Sequence, residues 1–407
     1  MSGPLVAILG TRFRDLAVEE EVLAPFGARL VTDPGATPAD ILAVAADADV
    51  VLAGSAPKLT ADVIAGLRGR GIVRYGVGTD SVDLDAARAH GLAVARVSDY
   101  GTEAVAFHAV ATACALLRRL PEADRVLREG RWGFADLRPL HVPSALTAGV
   151  VGFGRIGRQA ASYLLGLGFT VVAHDEYVDV PPDTGVRAVD LDTLLAAAEA
   201  VLLHAPGTPD GAPLLGADRL ARMREGSVLV NTARGSLVDV PALVEALRAG
   251  RPARAALDVF PQEPADADLF AGVEDKVLLT PHMAWYTEES ELDMRRKAAA
   301  EAARLLAGEP LRDPVVEPAR ASGLVIRARS WVTTGSLRWW RGTRWPGRAR
   351  WCCRSAASSS MDRTCPTAPT QWPPSWWRAR WPHGSTRSTR RSARTASRRS
   401  TPATRAR

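Results

Sequence analysis

Val151-Gly152-Phe153-Gly154-Arg155-Ile156-Gly157 is the most informative segment of this chain. An apolar, strand-like run at 147–151 leads into it, and a helix-like run at 158–167 follows it. Gly152 permits a tight strand-to-helix turn, Gly154 lets the backbone approach a pyrophosphate, and Gly157 lets the helix pack on the strand. The segment therefore predicts a dinucleotide-binding βαβ unit, in which the first helical N–H groups, including those of Arg155 and Ile156, point at phosphates.

An acidic residue in the expected place strengthens this prediction. Asp175 follows a second apolar strand at 169–173 and lies 18 residues after Gly157, where a carboxylate can accept both hydroxyls of a ribose. Glu176 adds a second negative charge that would repel a 2′-phosphate, so we expect NAD rather than NADP. The alternative interpretation is an ordinary βαβ turn in a glycine-rich protein.

Composition limits the broad class. At 407 residues the chain is long enough for two or three domains, and no stretch is long and apolar enough to span a membrane. The N-terminus reads as a first strand at 5–9 and lacks a secretory pattern. Four cysteines without metal-like spacing fit a reducing compartment, so we expect a cytoplasmic protein without a metal site.

The last part of the chain has a different composition. From Arg320 to Arg407 there are twenty Arg, no Lys and one acid, Asp362, which gives a charge of +19. Since the whole chain carries +6, the first 319 residues carry −13. We interpret 319–407 as a frameshifted translation or a disordered basic tail that cannot form a packed core. Nucleic-acid binding would depend on this tail alone, and we expect it to be absent.

Strand-helix alternation predicts an α/β fold with two doubly wound parallel-sheet domains. One is a flavodoxin-like substrate domain, 1–99, which a return segment at 288–318, containing a return helix at 288–307, completes. The other is an inserted Rossmann domain, 100–287, that binds NAD. A long apolar helix at 102–120, ended by Pro121, opens the second domain, and 122–145 reads as irregular. Substrate and cofactor would meet in the cleft between the domains.

Three segments at the C-terminal ends of predicted strands carry chemistry. They are 231–235 with Arg234, 258–264 with Asp258 and Glu263, and 280–285 with His282. Hydride transfer between a nicotinamide and a 2-oxo acid needs this set, because Arg binds the carboxylate and His moves a proton. Glu263 would fix the His tautomer, and Asp258 could accept from the nicotinamide carboxamide. Thr232 and Ala233 are further candidates for cofactor contact.

Each of these side chains also has a structural interpretation. Arg234 could be a surface loop charge, Glu263 a solvated acid beside prolines, and His282 a capped turn histidine. Their joint placement after a dinucleotide loop favours the functional interpretation.

Residues 1–318 resemble the D-isomer-specific 2-hydroxyacid dehydrogenase family on four ordered motifs: 74–80, 152–157, 231–235, and the Glu263/His282 pair. The resemblance implies that Arg234, Glu263 and His282 are catalytic. It also implies that Val77 and Gly78 donate N–H groups to a substrate carboxylate, with Arg74 near the distal end of the substrate. In the family, the helix that Glu103 opens forms a homodimer interface.

Within the family, 281–288 is similar to the C-terminal-binding-protein branch, whose members are NAD-binding corepressors that keep the dehydrogenase site. Trp285 would line the pocket there, or else fill core near the hinge. The loop at 74–80 also resembles phosphoglycerate dehydrogenases, where a basic residue grips the phosphate. The main prediction is an NAD-dependent D-2-hydroxyacid dehydrogenase. The alternatives are a phosphoglycerate-dehydrogenase-type enzyme and an NAD(H)-sensing, corepressor-like binding protein.

Overall fold

Continuous apolar strands build two sheets in this protein. A computed structural model describes residues 3–11 and 13–317, so the predicted basic tail, 319–407, lies outside the described residues. Strand sequences such as Val-Val-Leu-Ala at 50–53 are buried along their whole length, as parallel strands covered by helices on both faces must be. The strands are β1 Leu5–Leu9, β2 Arg29–Asp33, β3 Val50–Ala53, β4 Gly71–Arg74, β5 Ala93–Arg96, β6 Thr147–Val151, β7 Thr170–His174, β8 Arg187–Ala188, β9 Ala200–Leu203, β10 Val228–Asn231, β11 Arg254–Leu257, β12 Val277–Leu279 and β13 Pro314–Val316.

The helices lie between these strands, as predicted. They are α1 Ala17–Leu23, α2 Pro38–Ala45, α3 Ala61–Gly66, α4 Leu84–Ala89, α5 Thr102–Leu117, α6 Leu120–Arg128, α7 Arg155–Gly166, α8 Leu191–Ala197, α9 Ala217–Arg222, α10 Val240–Ala249 and α11 Glu288–Ala307. No helix in the described part of the chain is long and apolar enough to cross a membrane.

The strands form two separate sheets. The first has the order β13-β5-β4-β3-β1-β2, and the second has the order β12-β11-β10-β9-β6-β7-β8. In each sheet the chain winds outward in both directions from a central strand, which confirms the predicted α/β doubly wound class. Each face of each sheet packs against its own apolar cluster, so four clusters form the core. Because β10, β11 and β12 pair in parallel, their carboxyl ends are neighbours at one edge of the second sheet.

Two sequence expectations are wrong in detail. The segment after Pro121 is not irregular at its start, because α6 begins at Leu120 and Pro121 lies in its first turn, where a missing N–H costs nothing. Arg119 separates α5 from α6 in a left-handed conformation, with φ of 53°. The first sheet is not wholly parallel either: α11 has the predicted bounds, Glu288–Ala307, but the residues after it form β13, which pairs antiparallel with β5.

Candidate active site

The nucleotide loop, residues 152–157, has the geometry that its glycines predict. Gly152 has a φ of +92°, and a Cβ there would lie 2.5 Å from the backbone N of Ala205. A Cβ on Gly157 would lie 1.9 Å from the carbonyl oxygen of Gly152, so α7 can pack this closely only with glycine. Gly154 caps α7 and faces open space, with no atom within 4 Å of its Cβ position. The loop thus leaves room for a group in front of the helix N-terminus.

Asp175 holds the end of β7 against the nucleotide loop. Its Oδ2 accepts a hydrogen bond from the N–H of Phe153 at 2.5 Å, and its Oδ1 accepts from the N–H groups of Tyr177 and Val178 at 2.8 and 3.0 Å. The carboxylate therefore lies beside the loop, at the strand end where a ribose is expected. The ribose contact itself stays a prediction.

A buried histidine lies behind the loop. His204 follows β9, and both of its ring nitrogens are buried without a hydrogen-bond partner among the described residues. Burial lowers the pKa of His204 to about 4, so the ring is neutral near neutral pH. No sequence motif indicated a role for this residue.

A buried hydroxyl follows the end of β10. The hydroxyl of Thr232 is buried and has no partner in the described residues. Beside it, the buried amide of Asn231 donates to the carbonyl of Arg234 at 2.8 Å and accepts from the N–H of Ala233 at 3.0 Å. An orphaned hydroxyl and an open helix N-terminus both fit a dinucleotide, which offers donors, acceptors and phosphates.

Arg234 reaches from the second sheet to the first. Its Nε lies 3.3 Å from Oδ2 of Asp80, and its Nη2 lies 2.7 Å from the Cβ position of Gly78, so a side chain on Gly78 would displace the guanidinium. A Cβ on Gly235 would meet the carbonyl carbon of Phe260 at 1.9 Å. Glycine at 235 thus lets the arginine segment pack directly against the segment that carries Glu263.

Glu263 and His282 form a direct pair. The Nδ1 atom of His282 lies 2.7 Å from Oε2 of Glu263, and Oε1 of Glu263 accepts from the N–H of Phe260 at 3.1 Å. Because a carboxylate only accepts, Nδ1 carries the proton and Nε2 is left free. The two side chains are about half-exposed, so Nε2 is open to a ligand.

Asp258 anchors the histidine loop, residues 280–285. This buried carboxylate accepts from the hydroxyl of Thr280 at 2.5 Å and from the N–H groups of Met283 and Ala284, each at 2.9 Å. Its own carbonyl accepts from the N–H of His282 at 2.8 Å. These loop donors already occupy both carboxylate oxygens. The contact of Asp258 with the nicotinamide carboxamide stays a prediction.

Arg74 supplies a second guanidinium at the other end of the site. Its Nε is buried without a hydrogen bond, and no carboxylate in the described residues pairs with it. Burial lowers the pKa of Arg74, and the charge of Arg234 adds to the effect. Tyr100 lies next to it, since a Cβ on Gly76 would be 2.9 Å from Nη1 of Arg74 and 3.3 Å from the Tyr100 hydroxyl. The ring of Trp285 packs edge-on against Tyr100 at 5.9 Å.

The structure thus gathers the predicted residues at one edge of the second sheet, facing the loop at 74–80. Among the described residues, neither the N–H of Val77 nor that of Gly78 donates a hydrogen bond within the protein, so both are available to a ligand. The roles of Asn231 and Asp80 were not predicted, although these residues lie in the segments 231–235 and 74–80. Tyr100 has no local sequence signal, because it comes from the segment joining the two sheets.

The chain matches a family model described as the NAD binding domain of D-isomer specific 2-hydroxyacid dehydrogenases, over residues 110–284. It is also similar to the solved apo-structure of a D-lactate dehydrogenase from Escherichia coli, with 30% identity and a TM-score of 0.67. That match covers 77% of this chain and 100% of the other. The protein therefore belongs to the D-isomer-specific 2-hydroxyacid dehydrogenase family, whose cofactor is NAD.

Two further relatives illustrate the range of the family. A D-3-phosphoglycerate dehydrogenase from Archaeoglobus fulgidus is 35% identical over 277 residues, which cover 66% of this chain and 52% of the relative. A D-lactate dehydrogenase from Aquifex aeolicus, solved with NAD and lactic acid, is 27% identical with a TM-score of 0.70 and covers 77% of this chain and 100% of its own. The chain thus spans about half the length of the curated relatives it matches.

Proposed function

We propose that this chain is an NAD-dependent oxidoreductase that interconverts a 2-oxo acid and a D-2-hydroxy acid. The observation that carries the proposal is the Glu263–His282 pair, joined at 2.7 Å, on the strand ends next to Arg234. A proton carrier and a carboxylate binder side by side are what reduction of a 2-oxo acid requires.

Arg234 binds the substrate carboxylate and orients the carbonyl. Its guanidinium faces Gly78, so the unpaired N–H groups of Val77 and Gly78 can donate to the same carboxylate. Oδ2 of Asp80 lies 3.3 Å from Nε of the guanidinium and 2.9 Å from the Cβ position of Gly78. Two sets of donors on one carboxylate fix the direction in which the neighbouring carbonyl points.

His282 supplies the proton to the carbonyl oxygen during reduction and takes it back during oxidation. Glu263 accepts from Nδ1, so Nε2 is the nitrogen that exchanges the proton with the substrate. The negative charge of Glu263 thus lies beside the ring from which the proton of each reduction comes. Phe260 holds Glu263 through its backbone N–H.

The nucleotide loop and its neighbours would hold the cofactor. The N–H groups of Arg155 and Ile156 face the space in front of Gly154, and Asp175 lies where the ribose is expected. Thr232 and Ala233 border the same side, close to Arg234. Bound NAD(H) supplies or accepts the hydride at the substrate C2 atom.

The same proposal divides the chain into a substrate domain, 1–99 with 288–318, and an NAD domain, 100–287. The supporting observation is that β13 pairs with β5 in the first sheet, while β6 to β12 make up the second. A cytoplasmic location also belongs to the proposal, on the sequence argument that four cysteines without metal-like spacing fit a reducing compartment.

A phosphoglycerate-dehydrogenase-type activity is the second candidate. Arg74 is half-buried, its buried Nε has no hydrogen bond, and it forms no ion pair with an acid in the described residues, so a ligand that neutralises its charge would be favourable. A phosphate on the substrate would do so. The curated relatives named D-3-phosphoglycerate dehydrogenase support this candidate.

We propose that the protein is a homodimer through the region of α5 and α6. Exposed apolar side chains are concentrated in residues 107–142, far more densely than in the rest of the described chain. They are Phe107, Leu120, Leu127, Trp132, Phe134 and Val142. Trp132 is 92% exposed, and a patch of this kind is typical of a protein interface. Trp132→Ser should shift the mass in solution, measured by light scattering, toward that of one chain.

The activity is tested by NADH oxidation with a panel of aliphatic, aromatic and phosphorylated 2-oxo acids, together with NADH affinity. We expect turnover with at least one acid and a product of D configuration. Preference for phosphorylated acids, lost in Arg74→Leu but not in Arg70→Leu, would favour the second candidate. Tight NADH binding without turnover of any acid would instead indicate an NAD(H)-sensing binding protein.

A further inference from the structure

A hydrogen-bond chain leads from the histidine loop to a residue that plays no part in the mechanism above. Oδ1 of Asp258 accepts from the Thr280 hydroxyl at 2.5 Å, and that hydroxyl lies 3.3 Å from Nε2 of His108. His108 lies on α5 and is half-buried. These hydrogen bonds thus connect α5 to the loop that carries His282.

The direction of each hydrogen bond follows from the groups involved. The Asp258 carboxylate has no proton to give, and its neighbours Met283 and Ala284 donate to it from their backbone N–H groups. The Thr280 hydroxyl therefore donates its single proton to Asp258. Toward His108 the hydroxyl can only accept, so Nε2 of His108 carries a proton and donates.

The histidine loop needs such support because its backbone is strained. His282 has a φ of 52°, a left-handed conformation that non-glycine residues adopt at a cost. Its side chain is 47% exposed, so little packing holds it. The loop is held instead by hydrogen bonds to Asp258, and the orientation of that carboxylate depends on its third donor, Thr280.

Resting on the proposed function, we propose that His108 is a positioning residue of this dehydrogenase. It orients the Thr280 hydroxyl, which orients Asp258, which holds His282 where Nε2 reaches the substrate. α5 packs on α7 and on β10, so it offers a fixed point outside the loop. His108 itself touches neither substrate nor cofactor.

Two pairs of variants in the full chain test the proposal. Thr280→Val removes the hydroxyl at nearly constant shape, and Thr280→Ser keeps it. His108→Leu removes the donor, and His108→Gln keeps one. We expect Thr280→Val and His108→Leu to lower kcat roughly tenfold, as loss of one buried hydrogen bond predicts. The conservative variants should recover most of the rate, with NADH affinity unchanged throughout and any fall in thermal midpoint confined to Thr280→Val and His108→Leu.

The double variant shows whether His108 and Thr280 act through one hydrogen-bond chain or independently of each other. If His108 acts through Thr280, the double variant Thr280→Val with His108→Leu should lose no more activity than the worse single variant. A product of the two separate losses would overturn the proposal. So would a normal rate in His108→Leu beside a slow Thr280→Val.

Hydrogen exchange gives a readout that does not depend on turnover. The amides of Met283 and Ala284 should exchange faster in Thr280→Val and His108→Leu than in the wild type, and as in the wild type in Thr280→Ser. Unchanged exchange in both disruptive variants would overturn the proposal. If the wild type turned over no 2-oxo acid while the exchange pattern held, the proposed function would fail and the hydrogen-bond chain would stand.

Discussion

The nucleotide loop and the histidine loop each contain a residue in a left-handed backbone conformation, but they stabilise it in different ways. Both place backbone in a left-handed conformation, at Gly152 with a φ of +92° and at His282 with a φ of 52°. The first uses glycine, which adopts this conformation at no steric cost. The second must keep a histidine for its ring, so Asp258, 24 residues earlier, holds the backbone with hydrogen bonds. The nucleotide loop thus obtains its left-handed residue from glycine, whereas the histidine loop has no glycine at that position and depends on hydrogen bonds to a distant carboxylate.

Arg234→Gln should have the largest effect on the catalytic side of the comparison. Losing a bidentate charged grip on the substrate should lower kcat/KM by roughly 10³-fold, mainly through KM. Steady-state kinetics with the best 2-oxo acid measure it. Arg222→Gln, which breaks only a surface ion pair with Asp192, should change nothing. An Arg234→Gln variant with wild-type activity would show that Arg234 does not bind the substrate carboxylate.

Glu263→Gln should come next. The amide can still contact His282 but cannot stabilise an imidazolium, so kcat should fall roughly 10²-fold at unchanged NADH affinity. Glu225→Gln, on the surface beside Arg251, is the matched control. A fall in NADH affinity of the same size would show that Glu263 supports the cofactor site instead.

Gly157→Ala tests whether the nucleotide loop needs glycine for its close packing against α7. The new Cβ would meet the Gly152 carbonyl at 1.9 Å, so we expect a loss of about 3 kcal/mol in the free energy of unfolding and weaker NADH binding. Gly166→Ala, at the other end of α7 with no atom within 4 Å, should be neutral or slightly stabilising. Urea denaturation of the two variants measures both values. Equal stabilities would contradict the close contact of α7 with the loop.

His204 gives a smaller, pH-dependent effect behind the nucleotide loop. Its pKa is about 4 in the folded chain, against about 6.5 when unfolded. The unfolded state therefore binds more protons, and stability falls as the pH drops from 6.5 toward 4, by about 2 kcal/mol at pH 5. His204→Leu should lose this share of the pH dependence in urea denaturation. An unchanged slope in that variant would show that His204 is not buried.

The same contrast explains what could be predicted from the sequence. The nucleotide loop and the strands that flank it were predictable because glycine spacing and apolar runs are local signals. The start of α6 was not, since Pro121 fits both the end of one helix and the first turn of the next. The antiparallel strand β13 has only three residues, too few for a pattern.

For the site as well, features with a local sequence signal were predictable and features that depend on distant contacts were not. Arg234, Glu263 and His282 each follow a strand, so their common edge was predictable from order alone. The contacts of Asp258 with 280–284 and of His108 with Thr280 were not, because they join residues far apart in sequence. Local pattern predicted which residues carry the chemistry, and tertiary contacts determine how they are held.

The most direct test of the account is the rate of NADH oxidation by His282→Asn with the best 2-oxo acid. Asparagine can place an N–H near the Nδ1 position and keep the bond to Glu263, but it has no atom at Nε2. If His282 is the acid and base, kcat should fall by at least about 10²-fold with unchanged NADH affinity. A His282→Asn variant that turns over at the wild-type rate would contradict that assignment.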